Sequence, residues 1–233
     1  MSIVSEDGTD MQAPVARWQE VGRHIARAAV ESGRAAAQVT LVCVSKTYEA
    51  EVIRPVLAAG QRVFGENRVQ EAQSKWPQLR RDYPDIELHL IGALQTNKAQ
   101  TAVGLFDVIQ TLDRPSLADA LAKAMRKTDR RPRFYIEVNS GNEPQKAGIA
   151  PDQLESFLAY CRDKCHLPII GLMCIPPHDH DPRPHFRRLR EWADRLSLPH
   201  LSMGMSADFE TALACGATEV RIGTAIFGAR DQP

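Results

Sequence analysis

The sequence predicts an α/β fold: a single (β/α)8 barrel of the TIM type behind a leading N-terminal helix, with no C-terminal β domain. Three observations predict it. From Val39 onward, short β-branched runs alternate with helical stretches, the pattern of consecutive βα units and a parallel sheet. The runs number eight, enough to close a barrel. The first βα turn reads VSKTYE and lacks the glycine fingerprint of an open, doubly wound dinucleotide fold, which is the competing architecture.

The first ten residues are polar and acidic and are expected to be disordered, leaving residues 11–233 as one domain. Residues 11–32 place Val15, Trp18, Val21, Ile25 and Val30 at near-helical spacing, with Gly33 as a C-cap. The eight strand candidates are residues 39–45, 62–65, 86–92, 106–111, 134–139, 169–174, 200–203 and 219–223. Helical candidates between them include residues 49–59, 68–79, 115–127, 151–164, 184–196 and 207–215, with prolines near several starts and Gly60 and Gly216 near two ends. The Pro/His/Asp-rich residues 176–184 read as a long βα loop within the same domain.

Composition narrows the partners. The 29 basic and 29 acidic residues cancel, so no overall field draws in nucleic acid or an anionic membrane, and a small, specific ligand is expected. The start lacks the basic and apolar regions of a signal peptide, and no run reaches membrane-spanning length, which predicts a soluble, cytoplasmic protein. Five cysteines without a CxxC pair read as reduced, packed thiols.

In a parallel barrel the functional face is where strands end. Lys46 closes the run VTLVCVSK, so its stem emerges from a buried strand with the amine directed at the barrel mouth. Desolvation favours the neutral amine, the form that attacks an aldehyde; the alternative is a lysine snorkelling to solvent. The turns after the last two strands, SMGMS and RIGTAIFG, carry Gly204, Gly223, Ser206 and Thr224. Barrels commonly bind phosphate there, although glycine-containing βα connections are also ordinary. Arg221 shares a face with Gly223 and could point into the barrel, toward a pyridine nitrogen, a carboxylate ligand or a structural ion-pair partner. In FGENRVQE, Asn67 sits at a strand exit, placed either to cap the next helix with Gln70 in capping-box spacing or to touch a ring substituent. HLIGALQTNK is a comparable exit, with Gly92 as its turn and His89 and Ile91 facing the same way.

Weaker features read as surface. His178, Asp179, His180 and His185 crowd a loop without a metal-binding frame. Glu143 and Lys146 lie in the fifth strand's loop, as a surface pair or as a lid or partner contact.

Taken in order, SKTYE, FGENRVQE, HLIGALQTNK, VNSGNEPQKAG, GLMCIPP, LSMGMSADFE and VRIGTAIFGAR resemble the YggS/PROSC group, the pyridoxal phosphate homeostasis protein family, over nearly the whole chain from the first strand to Arg230. The resemblance implies a barrel like the N-terminal domain of alanine racemase, with pyridoxal 5′-phosphate held as a Schiff base on Lys46. It also implies phosphate contacts from Ser206, Gly223 and Thr224, ring contacts around Asn67 and Met203, and Arg221 facing the pyridine nitrogen. Ala93 and Thr96 stand where such proteins often carry Pro and Ser, and the fifth strand's loop reads GNEPQKAG rather than a GEESKSG-like string.

The expected function is intracellular homeostasis of the coenzyme: a monomer holding or delivering it, with coenzyme-dependent apoenzymes as partners, influencing amino-acid and keto-acid balance without strong catalysis. Arginine at the ring nitrogen disfavours its protonation and so weakens the ring as an electron sink. The alternative is an amino-acid racemase, which needs acid–base groups on both faces of the substrate. Lys46 would supply one, but no counterpart of the racemase tyrosine is found before Pro233. A Schiff-base aldolase would use the same lysine and phosphate loops and be colourless.

Overall fold

The computed structural model describes residues 12–143, 145–178 and 180–228. The expected disorder of residues 1–10 falls outside them. Eight parallel strands close in sequence order: β1 (Thr40–Val44), β2 (Val63–Glu66), β3 (Glu87–Leu90), β4 (Val108–Leu112), β5 (Arg133–Glu137), β6 (Ile169–Met173), β7 (His200–Ser202) and β8 (Glu219–Ile222). Closure is made by β1 on β8, from Thr40 opposite Glu219 to Cys43 opposite Ile222. Every predicted strand is present: β2 is shifted by one residue at unchanged length, and the other seven are shorter by one to three residues.

Helices surround the sheet: α1 (Ala13–Glu31), α2 (Ala50–Ala58), α3 (Val69–Asp82), α4 (Ala99–Leu105), α5 (Pro115–Thr128), α6 (Leu154–Ala159), α7 (Arg183–Arg195), α8 (Phe209–Ala214) and α9 (Thr224–Phe227). Helix α1 buries Val21, Ile25, Ala28 and Ala29 and ends before Gly33, whose φ of +73° suits the turn. Val30, predicted on the apolar face, is 67% exposed. Five residues beyond Ile25 is about 140° around the helix axis, so Val30 faces solvent. Helix α4 was not anticipated: it is seven residues long and buries only Ala99, Ala102 and Val103, too small a stripe to register. The predicted helix over residues 151–164 is a 3₁₀ turn, then α6, then a π-helical turn that buries Cys161.

The apolar core lies between sheet and helices, where Phe64, Trp76, Phe106, Phe134 and Phe186 are completely buried. The barrel interior is partly polar. The Tyr135 hydroxyl donates to Glu219, and Gln110 donates to Glu219 Oε2 at 2.9 Å and to His89 Nδ1 at 2.8 Å. With Nδ1 accepting, His89 carries its proton on Nε2 and donates to Glu87 at 2.7 Å. Gly171 gives this layer room, since a Cβ there would stand 2.7 Å from the Tyr135 ring and 2.2 Å from the His200 carbonyl oxygen. Among the described residues no helix is long and apolar enough to cross a membrane.

Candidate functional site

Strand alternation brings Lys46 to the barrel mouth. Val42 packs toward Gly65 inside the barrel, Val44 lies on the same face, and Lys46 follows two residues further, half-buried. Here it lines a cavity of about 310 Å³ together with Tyr48, Asn67, Ser206, Arg221 and Thr224. That volume is at the lower end of the ~300–1,000 Å³ range of small-ligand pockets. Val44, Ile91, Ile175 and Met205 add apolar wall.

The turns after β7 and β8 supply hydroxyl groups. Thr224 Oγ1 donates to Ser206 Oγ at 3.3 Å, so two hydroxyls from separate loops meet at the rim beside the first backbone amides of α9. Gly223, which also lines the cavity, packs against β1, where a Cβ would stand 3.0 Å from the Val44 carbonyl oxygen. Gly204 adopts φ +94° with its α-carbon against α8, allowing the chain to turn sharply before Ser206.

Arg221 is buried, and its Nη1 donates to Ser202 Oγ at 2.6 Å while Nη2 donates to the Cys174 carbonyl at 2.9 Å. These neutral acceptors, rather than a carboxylate, hold the guanidinium inside the barrel. Ser202 Oγ donates onward to Gln110 Oε1 at 2.6 Å, linking Arg221 to the interior layer. Burial lowers the Arg221 pKa, opposed by Cys174 and then by the carboxylates of Glu137 and Glu219.

Six of the seven anticipated site residues, Lys46, Asn67, Ser206, Arg221, Gly223 and Thr224, line this one cavity. Met203 does not: it is completely buried in the helix-facing core, and Met205 stands at the cavity instead. The reason is alternation, for Ser202 points inward to Arg221 and Met203 therefore points outward. Asn67 is not a helix cap. Arg68 occupies that position with no side-chain hydrogen bond, leaving Asn67 to the cavity. Tyr48 was missed, although it stands two residues from Lys46 in the SKTYE string; its hydroxyl donates to the Gly228 carbonyl at 2.8 Å and its ring packs on Phe227. Glu143 and Lys146 pair at 2.8 Å, and Asn139 folds their loop back through two hydrogen bonds to the Glu143 backbone.

Glu137, at the end of β5, also escaped the sequence reading. Its side chain is buried, and desolvation first, then repulsion from Asp113, push its carboxyl up from 4.5 to about 7, with Arg221 pulling the other way. A folded-state pKa above the unfolded one means the folded chain binds the extra proton between those values. Stability is therefore present at low pH and lost as pH rises from 4.5 to about 7. Glu137→Gln is expected to flatten this window and to raise stability above neutrality by up to ~3 kcal/mol, as read from urea unfolding at a series of pH values. Parallel pH profiles for the two proteins would contradict it.

The barrel and its mouth define a class: a (β/α)8 protein with a lysine at the end of its first strand and a hydroxyl-lined pair of turns after its last two. Residues 23–231 match the family described as the N-terminal domain of alanine racemase. Within that fold, the chain belongs to the pyridoxal phosphate homeostasis protein family. The protein of that name from Aquifex aeolicus is 44% identical over 223 residues, spanning 92% of this chain and 97% of its own. The one from Escherichia coli K12 is 38% identical over 227 residues, spanning 91% and 94%. Among solved structures, PipY of Synechococcus elongatus, determined with PLP bound, superposes with a TM-score of 0.78 at 39% identity, over 88% of this chain and all of its own. Alanine racemase from Corynebacterium glutamicum shares the fold at a TM-score of 0.68 and 20% identity, over 95% of this chain and 62% of the racemase.

Proposed function

We propose that this chain binds pyridoxal 5′-phosphate in the mouth cavity, bonded covalently to Lys46, and serves to hold and hand on the coenzyme within its homeostasis. The observation that carries the reading is the convergence on one cavity of a strand-end lysine, a buried arginine and two loop hydroxyls. When bound, the coenzyme supplies an aldehyde that accepts an amine and a conjugated ring that draws electrons from it.

The residues present fit that group. Ser206, Thr224 and the amides opening α9 are donors for a phosphate, and Gly223 lets backbone approach closely. Val44, Ile91 and Met205 provide apolar wall for a ring. Arg221, fixed by Ser202 and Cys174, is the donor for the ring nitrogen. An arginine there, in place of a carboxylate, opposes protonation of that nitrogen and favours holding over turnover. The recipients we infer are coenzyme-dependent apoenzymes, reached from a monomer in the cytoplasm.

Purified protein is expected to gain a visible absorption band on titration with pyridoxal 5′-phosphate, saturating at one equivalent. A chain that stays colourless would sink the reading. Incubation of the loaded protein with L-alanine is expected to give optical inversion far below the ~1–10³ s⁻¹ of ordinary enzymes. Inversion at such rates would instead make it a racemase.

A further inference from the structure

The turn that carries Lys46 is gripped from outside the barrel by two charged residues of α3. Thr47 has φ +69°, a left-handed conformation that a β-branched residue adopts only when its surroundings impose it. Its amide donates to Glu71 Oε1. Lys75, buried to 5% exposure, donates to the carbonyl oxygens of Ser45 at 2.8 Å and Tyr48 at 2.9 Å. The same ammonium is 3.0 Å from Glu71 Oε1 and 2.9 Å from Oε1 of the completely buried Glu66. Glu66 Oε1 in turn accepts from the Ser45 hydroxyl at 2.6 Å and from Trp76 Nε1 at 3.0 Å. Ser45, Thr47 and Tyr48, the residues around Lys46, are thus all tied to one buried cluster.

Stability alone is a poor reason for such a cluster. Burying an ammonium and a carboxylate costs several kcal/mol per ion, and an apolar replacement is often neutral or better. Here Glu66 Oε2 is also buried without a hydrogen-bond partner, a further cost. What apolar residues cannot supply is donors for two turn carbonyls and an acceptor for the Thr47 amide.

We propose that Lys75 and Glu71 are positioning residues for Lys46: they impose the left-handed turn at Thr47 and so aim the lysine amine across the cavity. The inference rests on the coenzyme reading for its ligand, but the cluster and the turn stand independently of it. The step they assist is attack of the neutral Lys46 Nζ on an aldehyde carbon. A carbon–nitrogen double bond forms, and the carbonyl oxygen leaves as water with both amine hydrogens. Misaiming the amine slows this step and leaves the phosphate and ring contacts unchanged.

The test compares wild type with Lys75→Met, Lys75→Arg, Glu71→Gln and the double variant Thr47→Gly/Lys75→Met, each checked for folding by circular dichroism. Pyridoxal 5′-phosphate reports covalent capture through its visible band, whereas pyridoxine 5′-phosphate, an alcohol, reports only noncovalent affinity. Lys75→Met is expected to slow capture roughly 10- to 100-fold, the scale of a misplaced reacting group, with pyridoxine 5′-phosphate affinity held within about twofold. Lys75→Arg should recover part of the rate. Thr47→Gly should do so too, because glycine takes a positive φ without strain. If Lys75→Met does not fold, Glu71→Gln, which weakens the Thr47 clamp and the Glu71–Lys75 ion pair but keeps the Lys75 bonds to the Ser45 and Tyr48 carbonyls, is read the same way.

Capture at the wild-type rate in the folded variants, or equal loss of both ligands, would overturn the proposal. Reductive methylation with formaldehyde and cyanoborohydride in the absence of coenzyme gives a separate readout. Labelling of Lys46 relative to exposed Lys123 should fall in Lys75→Met, and an unchanged ratio also overturns it. A wild type without a visible band but with a lowered Lys46 ratio in Lys75→Met would discard the coenzyme reading and keep the positioning role.

Discussion

Lys46→Ala is expected to abolish covalent capture of pyridoxal 5′-phosphate completely while leaving a folded protein. Lys46 is the lysine lining the cavity, and it reaches the mouth along the inward face of β1. Alanine removes the nucleophile and leaves Ser206, Thr224 and Arg221 in place, so the phosphate end is still recognised. The visible band should vanish, and the residual noncovalent affinity should fall by at least ~10-fold, equivalent to ~1.4 kcal/mol or more. Because the side chain is only half-buried, the stability change should stay within about 1 kcal/mol. Borohydride reduction followed by peptide mass mapping checks the assignment. Wild type should carry the added mass on the Lys46 peptide and the variant on none; coenzyme fixed on Lys98 or Lys75 would place the site elsewhere.

The second large effect is on the scaffold. A Cβ at Gly92 would stand 2.3 Å from the Asn67 carbonyl oxygen, 2.8 Å from its Cα and 2.9 Å from its carbonyl carbon. All three are backbone atoms, and that backbone has little freedom to yield. Ile91 N donates to the Glu66 carbonyl at 2.9 Å, Thr111 Oγ1 donates to the Gly92 carbonyl at 2.9 Å, and β2 and β3 are in register from Val63 to Glu66. Gly92→Ala is therefore expected to destabilise the fold by about 3 kcal/mol, the upper end of ordinary overpacking. For a chain of this size that lowers Tm by roughly 6–12 °C. Because the displaced residue is Asn67, coenzyme affinity should weaken in the same variant. A wild-type Tm from calorimetry would refute the packing argument.

The difference between what was legible and what was not follows one physical division. Period-two and period-3.6 patterns are local, so the eight strands, the leading helix and Gly33 as its stop could be read directly. Val30 was misplaced and α4 overlooked where the pattern was stretched by one residue or carried by alanines. At the site, the rule that barrels work at strand ends was sufficient to single out Lys46, Ser206, Gly223 and Thr224. Met203 shows its limit, since choosing between neighbouring loop residues requires knowing which of them faces inward. Ser202 decides that only through its bond to Arg221 from the adjoining strand.

By itself, the sequence determined the eight strands, a number that suits a barrel, and the polar residues at their ends, because strand pattern and strand-end position are each local to one segment. Only the tertiary structure decided the rest. Glu137 acquires its raised pKa from burial first and then from Asp113 at the end of the neighbouring β4, and Arg221 donates to neutral acceptors on β7 and after β6. Lys75, one of many charged residues on a helix, becomes the buried anchor of the Lys46 turn. Burial and hydrogen-bond partnership are properties of segments brought together by closure, and no periodicity within one segment encodes them.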